Sequence, residues 1–390
     1  MDRLRHGHLQ ADQPAPAGSA RRRLSGLRVP DHADQACGLR QFSLIVQRVS
    51  LRNYRSYSSL DLELAPGLVL VVGPNGVGKT NLLESLHVAT QGFSPRTHHD
   101  AQLIRFGEDA GRVALNGDRS GVQTELTVIL RANQAKEARL NGARLPSAES
   151  LRREVSTLVF TPDRLAVVKG GPAARRAYFD RVLGRFFPAR ASLPQDYLAA
   201  LAQRNAALRR VQFGASSRDA VEPWTQQVAT LGAELVRVRA ETLATLAQPF
   251  ADRAGELGLV DAHLDYDGEP PSADELEQRL ARDIERGSTG SGPHLHDVLV
   301  ASGERDLRRF GSQGEQRLAV LSLLLAEAQL LDPPPLLLLD DVLSELDPER
   351  RELLATRLLG SAQAMVTTTH RGSLPVEPSQ VVEVSHGTAF

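Results

Sequence analysis

VVGPNGVGKTNLL, residues 71–83, decides the fold. Its start closes a continuous apolar run, GLVLVVG (67–73), bounded by glycines. Such a run predicts a central strand buried on both faces. Its end opens a stripe of Leu82, Leu83, Leu86 and Ala89, which predicts a helix from Thr80 to Thr90. Between them, Gly73-Pro74-Asn75-Gly76-Val77-Gly78-Lys79-Thr80 fits G-x-x-x-x-G-K-[ST] in the strand–loop–helix setting the pattern requires. The glycines let backbone N–H groups converge on phosphate oxygens, and the helix start adds partial positive charge. Lys79 is expected to reach the β- and γ-phosphates and Thr80 to ligate Mg²⁺, with Asn81 closing the candidate binding set. Among 46 basic residues only Lys79, Lys136 and Lys169 are lysines. A slim ammonium suits the curl of the loop; a forked guanidinium fits it poorly.

The other half of the expected site lies far downstream. PLLLLDDVLSELD (335–347) carries four leucines into Asp340-Asp341. A buried strand of this kind delivers carboxylates to its C-terminal edge, beside the phosphate loop. Asp340 is the candidate Mg²⁺ ligand. Asp341 is the candidate to polarise an attacking water. FGSQGEQRLAVLSLLLAEAQLL (310–331) places Ser312 and Gly314 at the start of a long apolar helix. Alone, this is an N-cap; in sequence with the other motifs, it is a second anion site. A strand, MVTTT (365–369), ends in His370, a candidate γ-phosphate sensor.

Composition narrows the classes. A hydrophobic fraction of 41% and a charged fraction of 24% are those of a soluble globular chain. The net charge of −1 means that any nucleic-acid surface must come from local arginine clusters. Cys37 is the single cysteine, which excludes a disulfide framework and fits a cytoplasmic location. No apolar stretch reaches the roughly 18–20 residues of a membrane span. Residues 1–41, rich in Pro, Gly and Arg without apolar period, are expected to be a disordered tail or a mis-called start.

From Phe42, alternation predicts strands at 42–54 and 60–66, then at 111–116, 122–131 and 136–140, with Asn141-Gly142 at a hairpin tip and TLVF (157–160) as a short buried strand. Residues 172–286 read as helical. Their clearest helix runs from Pro223 to Phe250, with Val228, Leu231, Leu235, Val238 and Thr242 in heptad spacing. The expected organisation is an ATPase head in two parts, 42–185 and 296–390, interrupted by a helical insertion at 186–295. The expected class is thus α/β: a P-loop head with a mixed sheet and an inserted α-helical subdomain.

The order of motifs resembles the ABC-type ATPase head: Walker A, signature helix, Walker B, D-loop and H-loop. Within that class the chain resembles the RecF family of SMC-like repair ATPases from about Phe42 onward. LRNYRSYSSLDLEL (51–64), LVFTPDRLAVVKGGPAARRAYFDR (158–181) and the Asp-Asp form of DDVLSELD carry the likeness. SQGEQ, with Glu315 after one glycine, departs from the LSGGQ form of transporters. The resemblance implies an ATP-dependent homodimer, with Ser312, Gly314 and Asp347 of one copy completing the other's phosphate site. It places Arg55 near the nucleotide. It implies weak DNA-stimulated ATP hydrolysis, binding to double-stranded DNA near single-strand gaps, and work with RecR and RecO to load RecA during repair and the SOS response.

An ABC transporter subunit would explain the nucleotide motifs but not the NYRSY opening or the insertion. An SMC-like ATPase of a nuclease complex would need a longer coiled coil. Candidate DNA contacts are Arg204, Arg209, Arg210, Arg237 and Arg239 in the insertion, and Arg305, Arg308 and Arg309 before the signature. Gln91 is a candidate for the Q-loop, and the role of Lys169 stays open.

Overall fold

The structure, a computed structural model, describes residues 43–390. The expected N-terminal tail, with Cys37, lies outside the described residues.

Two six-stranded sheets form the head. The first is antiparallel, built from β1 (Leu44–Tyr54), β2 (Tyr57–Glu63), β4 (Ala110–Arg119), β5 (Val122–Arg131), β6 (Glu137–Leu140) and β7 (Ala143–Arg144), in the order β2-β1-β4-β5-β6-β7. The β6–β7 tip has Asn141 and Gly142 both at positive φ, as a two-residue hairpin turn requires. The second sheet contains β3 (Gly67–Val72), β8 (Thr157–Phe160), β12 (Leu336–Leu339), β13 (Gln363–Thr368), β14 (Gln380–Ser385) and β15 (Thr388–Ala389). Its order is β15-β14-β3-β13-β12-β8, parallel except for the terminal hairpin.

The continuous apolar runs are buried on both faces because the sheet is covered on both. Along β3, Leu68 and Leu70 enter one hydrophobic cluster while Val69 and Val71 enter the other. Leu337 and Leu339 of β12 likewise face away from Leu336 and Leu338. One cover is α1 (Lys79–Gln91) with the antiparallel sheet, sharing a core with Leu82, Leu83, Leu86 and Ala89. The other cover includes α9 (Gln313–Leu330), α10 (Pro348–Leu359) and the two short helices α2 (Ala166–Lys169) and α8 (Leu307–Phe310).

The helical stretch contains α3 (Pro172–Phe186), α4 (Leu193–Gln212), α5 (Glu222–Glu256), α6 (Ala273–Gln278) and α7 (Leu280–Arg286). Val228, Leu235, Val238 and Thr242 are buried along α5, as the heptad spacing predicts. Two features depart from the expectation. A strand, β9 (Ala262–Asp267), interrupts the helices and pairs antiparallel with β10 (Asp297–Ser302), which in turn pairs with β11 (Arg305–Asp306). The alternation of AHLDYD supports it, with Leu264 turned inward. Further, Leu243, Leu246, Phe250 and Ala254 of α5 belong to the head's own core. The helical layer is therefore fused to the head by the C-terminal half of its longest helix.

Candidate functional site

Because β3, β13, β12 and β8 run parallel, their C-terminal ends open on one edge of the sheet. Each delivers a loop there: residues 73–80 after β3, His370 after β13, Asp340 and Asp341 after β12, and Thr161 after β8. A hydrogen bond from Gly73 N to Thr368 O (3.3 Å) ties two of these ends together.

The 73–80 loop wraps around its lysine. Lys79 is 8% exposed, and its Nζ donates to the carbonyls of Gly73 (2.6 Å) and Pro74 (2.8 Å). Burial lowers the Lys79 pKa, while the charges of Asp341 and Asp340 pull it back up. Gly78 has φ of +119°, and a Cβ there would stand 2.8 Å from Ser56 Oγ. Only glycine fits. Tyr57 holds the turn from outside, its hydroxyl donating to Gly78 O at 3.1 Å. Pro74, Asn75 and Gly76 are exposed at the rim, and Val77 anchors the loop in the core.

Thr80 lies in the first turn of α1, and its Oγ1 donates to Asp340 Oδ1 at 3.0 Å. Thr367 Oγ1 donates to the same oxygen at 2.7 Å and accepts from Asp341 N at 2.8 Å. One hydroxyl therefore fixes both aspartates. Burial raises the Asp340 pKa, the Thr367 and Thr80 hydrogen bonds oppose that rise, and the charge of Asp341 adds to it. Asp341 itself is exposed and adopts φ 49°, a left-handed conformation that aspartate tolerates. The backbone turn thus buries one carboxylate and presents the next.

Arg55 and Asn81 lie to one side of the loop. Arg55 grips buried Glu84 with two hydrogen bonds of 2.8 Å. Asn81 donates to Ser56 Oγ at 3.0 Å and accepts from Arg96 at 3.2 Å. With Ser56, Gln102, Arg105 and Phe106, these two residues line an open cleft of about 610 Å³.

Ser312, Gly314 and Asp347 are exposed, and no hydrogen bond or ion pair among the described residues joins them to the 73–80 loop. Ser312 caps α9, accepting from Glu315 N (3.2 Å), while Glu315 accepts from Ser312 N (2.8 Å). That capping box explains the glutamate that departs from the transporter pattern. Asp347 caps α10 and pairs with Arg350 at 2.8 Å. His370 is exposed at the site's edge.

Several expectations are corrected. Gln91 is buried, its amide donating to Thr90 O and Val155 O, so it faces the core and not the phosphate loop. Arg204 is fully buried and bonds Asp283 (2.8 Å), Thr289 (2.7 Å) and Thr225 (3.1 Å). Arg239 is buried against Asp180. Both hold the helical layer together and present no free charge. Arg209, Arg210, Arg237, Arg308 and Arg309 are exposed, as is Arg305, which pairs with Glu315 at 2.8 Å. Lys169 is exposed at the end of α2. Thr367, Tyr57 and Glu84 were not singled out in the sequence, although a polar threonine ending an apolar strand and a carboxylate inside an apolar stripe are both readable signals.

Known proteins place this arrangement. The RecF/RecN/SMC N terminal domain model matches residues 45–388. A DNA replication and repair protein RecF of Heliobacterium modesticaldum is 36% identical over 344 residues, covering 83% of this chain and 92% of the relative. One from Lacticaseibacillus casei is 34% identical, covering 87% and 97%. Among solved structures, the recombination mediator protein RecF bound to ATP, described in the RecFOR pathway, matches at TM-score 0.80 and 26% identity over 90% of this chain and 98% of that one. An Smc head domain of Pyrococcus furiosus matches at TM-score 0.56 and 16% identity, over 89% and 95%, a likeness of fold alone. The chain belongs to the RecF family of DNA replication and repair proteins, an SMC-like branch of the ABC-type ATPase heads.

Proposed function

We propose that this chain binds ATP with Mg²⁺ at the 73–81 loop and acts as an ATP-gated homodimer on DNA, hydrolysing ATP slowly. The observation that carries the dimer is Gly314. A Cβ added there meets nothing closer than Ser312 Oγ at 3.9 Å. Glycine is a poor choice in the first turn of a helix, and nothing in this chain requires it. Close approach of a body outside the chain does require it. The exposed start of α9, apart from the chain's own phosphate loop, is then the surface that meets the nucleotide on a second copy.

The residues suit the ligands. Thr80 Oγ1 and Asp340 are hard oxygen donors 3.0 Å apart. No cluster of three or more acidic, His or Cys side chains forms a metal cage among the described residues. A cation held by one hydroxyl and one carboxylate, with water and phosphate oxygens filling the rest, is the Mg²⁺ pattern. Bound nucleotide supplies the phosphoanhydride to be cleaved, and the metal offsets its charge. Lys79 adds positive charge inside the curl. Asp341 accepts a proton from water, and His370 reports on the terminal phosphate. An aspartate is one methylene shorter than the glutamate common at this position, which favours slow turnover and a timed clamp.

In keeping with the family, the dimer acts in the cytoplasm on double-stranded DNA beside single-strand gaps, with DNA stimulating hydrolysis, and cooperates with RecR and RecO in loading RecA. Mixing two inactive chains tests the shared site. A Lys79→Ala chain keeps its signature and a Gly314→Arg chain keeps its loop, so the mixture regains ATPase activity through one intact composite site. A mixture as inactive as its components overturns the reading.

A further inference from the structure

Two phenylalanines stand in solvent, one on each half of the nucleotide site. Phe106 is fully exposed, at 103%, and lines the open cleft of about 610 Å³. That cleft shares a wall with the phosphate loop. Ser56 and Asn81 line it, and Ser56 Oγ is 2.8 Å from where a Cβ on Gly78 would stand. A β-turn holds the Phe106 ring out, with Glu108 N donating to Arg105 O at 3.1 Å and Gly107 at φ +88°. Asn53 ties the turn to β1: its carbonyl accepts from Arg105 N (2.9 Å) and its amide donates to Glu108 (3.0 Å).

Phe310 is 65% exposed and ends α8, two residues before Ser312. Its place is equally fixed. Leu307 is fully buried, and Gln316 Nε2 donates to Leu307 O at 2.8 Å and to Gly311 O at 3.3 Å, which clamps α8 onto α9. A Cβ on Gly311 would stand 2.6 Å from Leu307 O, so glycine permits the tight junction. Arg308 and Arg309 are exposed beside Phe310, while Glu108 and Asp109 are exposed beside Phe106. The two surfaces therefore carry opposite charge. The cleft's own cations are engaged: Arg55 grips Glu84, and Arg105 Nη1 donates to Ser56 O at 3.1 Å.

We propose that the base of bound ATP lies in this cleft on Phe106 and is covered by Phe310 of a second copy, so that rings of two chains hold each base. This rests on the composite-site reading above, in which Ser312 of one copy meets the other's phosphate loop. Phe310 is then within about 7 Å of that serine along the backbone. A triphosphate held by the 73–80 loop leaves its nucleoside end beside Ser56 and Asn81, and a cleft of this size suits a nucleoside. Each ring alone exposes apolar surface to water. Stacking on the two faces of one base gives both a partner and couples nucleotide binding to dimer formation.

Light scattering at rising ATP, with Mg²⁺, compares the full chain with Phe106→Ala and Phe310→Ala. Each variant is expected to need roughly fivefold or more ATP before half of the chains double in mass. The melting temperature without nucleotide stays at the wild-type value, and Phe310→Trp keeps the wild-type ATP requirement. Placement is tested by mixing a Phe106→Cys chain with a Phe310→Cys chain, each carrying Cys37→Ser to remove the single native cysteine, and adding a short bifunctional maleimide at saturating ATP. The expected result is a cross-linked dimer that forms only with ATP. Doubling in mass without the cross-link, or alanine variants that double at the wild-type ATP concentration, overturns the pairing and leaves the composite site standing. A lowered melting temperature for Phe310→Ala also overturns it, because the ring would then pack within its own chain. Wild type that never doubles in mass overturns the composite site, and this pairing with it.

Discussion

Thr80 Oγ1 lies 3.0 Å from Asp340 Oδ1, joining positions 260 residues apart in the chain. The same oxygen receives Thr367 Oγ1, so both halves of the nucleotide site meet on one carboxylate. That carboxylate is buried and held above its ordinary range by desolvation.

Asp340→Asn therefore separates activity from stability. The amide oxygen accepts the same two hydroxyl protons without a buried charge. Mg²⁺-dependent ATP turnover falls about 100-fold or more, the loss of several kcal/mol of charge stabilisation. The melting temperature without nucleotide rises, by the trade-off common at functional sites. Steady-state phosphate release and thermal unfolding check the two halves; a destabilised variant would contradict the description of Asp340.

Thr367→Val removes the hydroxyl that holds both aspartates. It leaves Asp341 N and Asp340 Oδ1 each short of a partner, at a cost of about 1–3 kcal/mol. Urea denaturation measures that cost. Turnover falls with it, since Asp341 loses its anchor; normal turnover would mean that Thr367 does not position the site.

Stability also carries a pH signature from His87. Its ring is buried against Phe93, with Nδ1 2.9 Å from Phe93 O, and its pKa is pushed down to about 3. The unfolded chain takes up this proton near the ordinary value of about 6.5. The folded chain refuses it until about pH 3. The contribution is thus fully present above about pH 6.5 and declines by about 1.4 kcal/mol per unit as pH falls toward 3. His87→Gln loses that slope. Urea midpoints for both proteins at pH 7.5 and 5.0 measure it; parallel declines would remove His87 as the cause.

The insertion arginines divide by burial. Arg204→Ala leaves Asp283, whose side chain is 2% exposed, without its partner, at a cost of about 3–5 kcal/mol. Neutralising exposed Arg209 and Arg210 leaves stability within about 0.5 kcal/mol. Thermal unfolding of the two variants tests this; equal losses would contradict the assignment.

The head was legible because its elements have single-valued patterns. GLVLVV and LLLL can be buried only between two layers, and the 73–80 loop has meaning only between strand and helix. The insertion arginines were not legible, because α-helical spacing does not say whether Arg204 meets water or Asp283. Gln91 misled for the same reason: a glutamine near a nucleotide helix looks polar in sequence but is spent inside the core. The strand at 262–267 was hidden between the long α5 before it and the two short helices α6 and α7 after it. Thr367 acts through register, since Leu339 pairs with Val366 and the next residue of each strand is Asp340 and Thr367. No single-strand pattern reveals that pairing.

The central claim is that ATP joins two copies through Gly314 and the 73–80 loop. Light scattering of the purified chain, with and without ATP and Mg²⁺, tests it most directly. The account predicts a monomer without nucleotide, a doubled mass with ATP, and monomers under both conditions for Lys79→Arg and for Gly314→Arg, each still folded. A wild-type mass unchanged by ATP, or a Gly314→Arg chain that doubles normally, would contradict it.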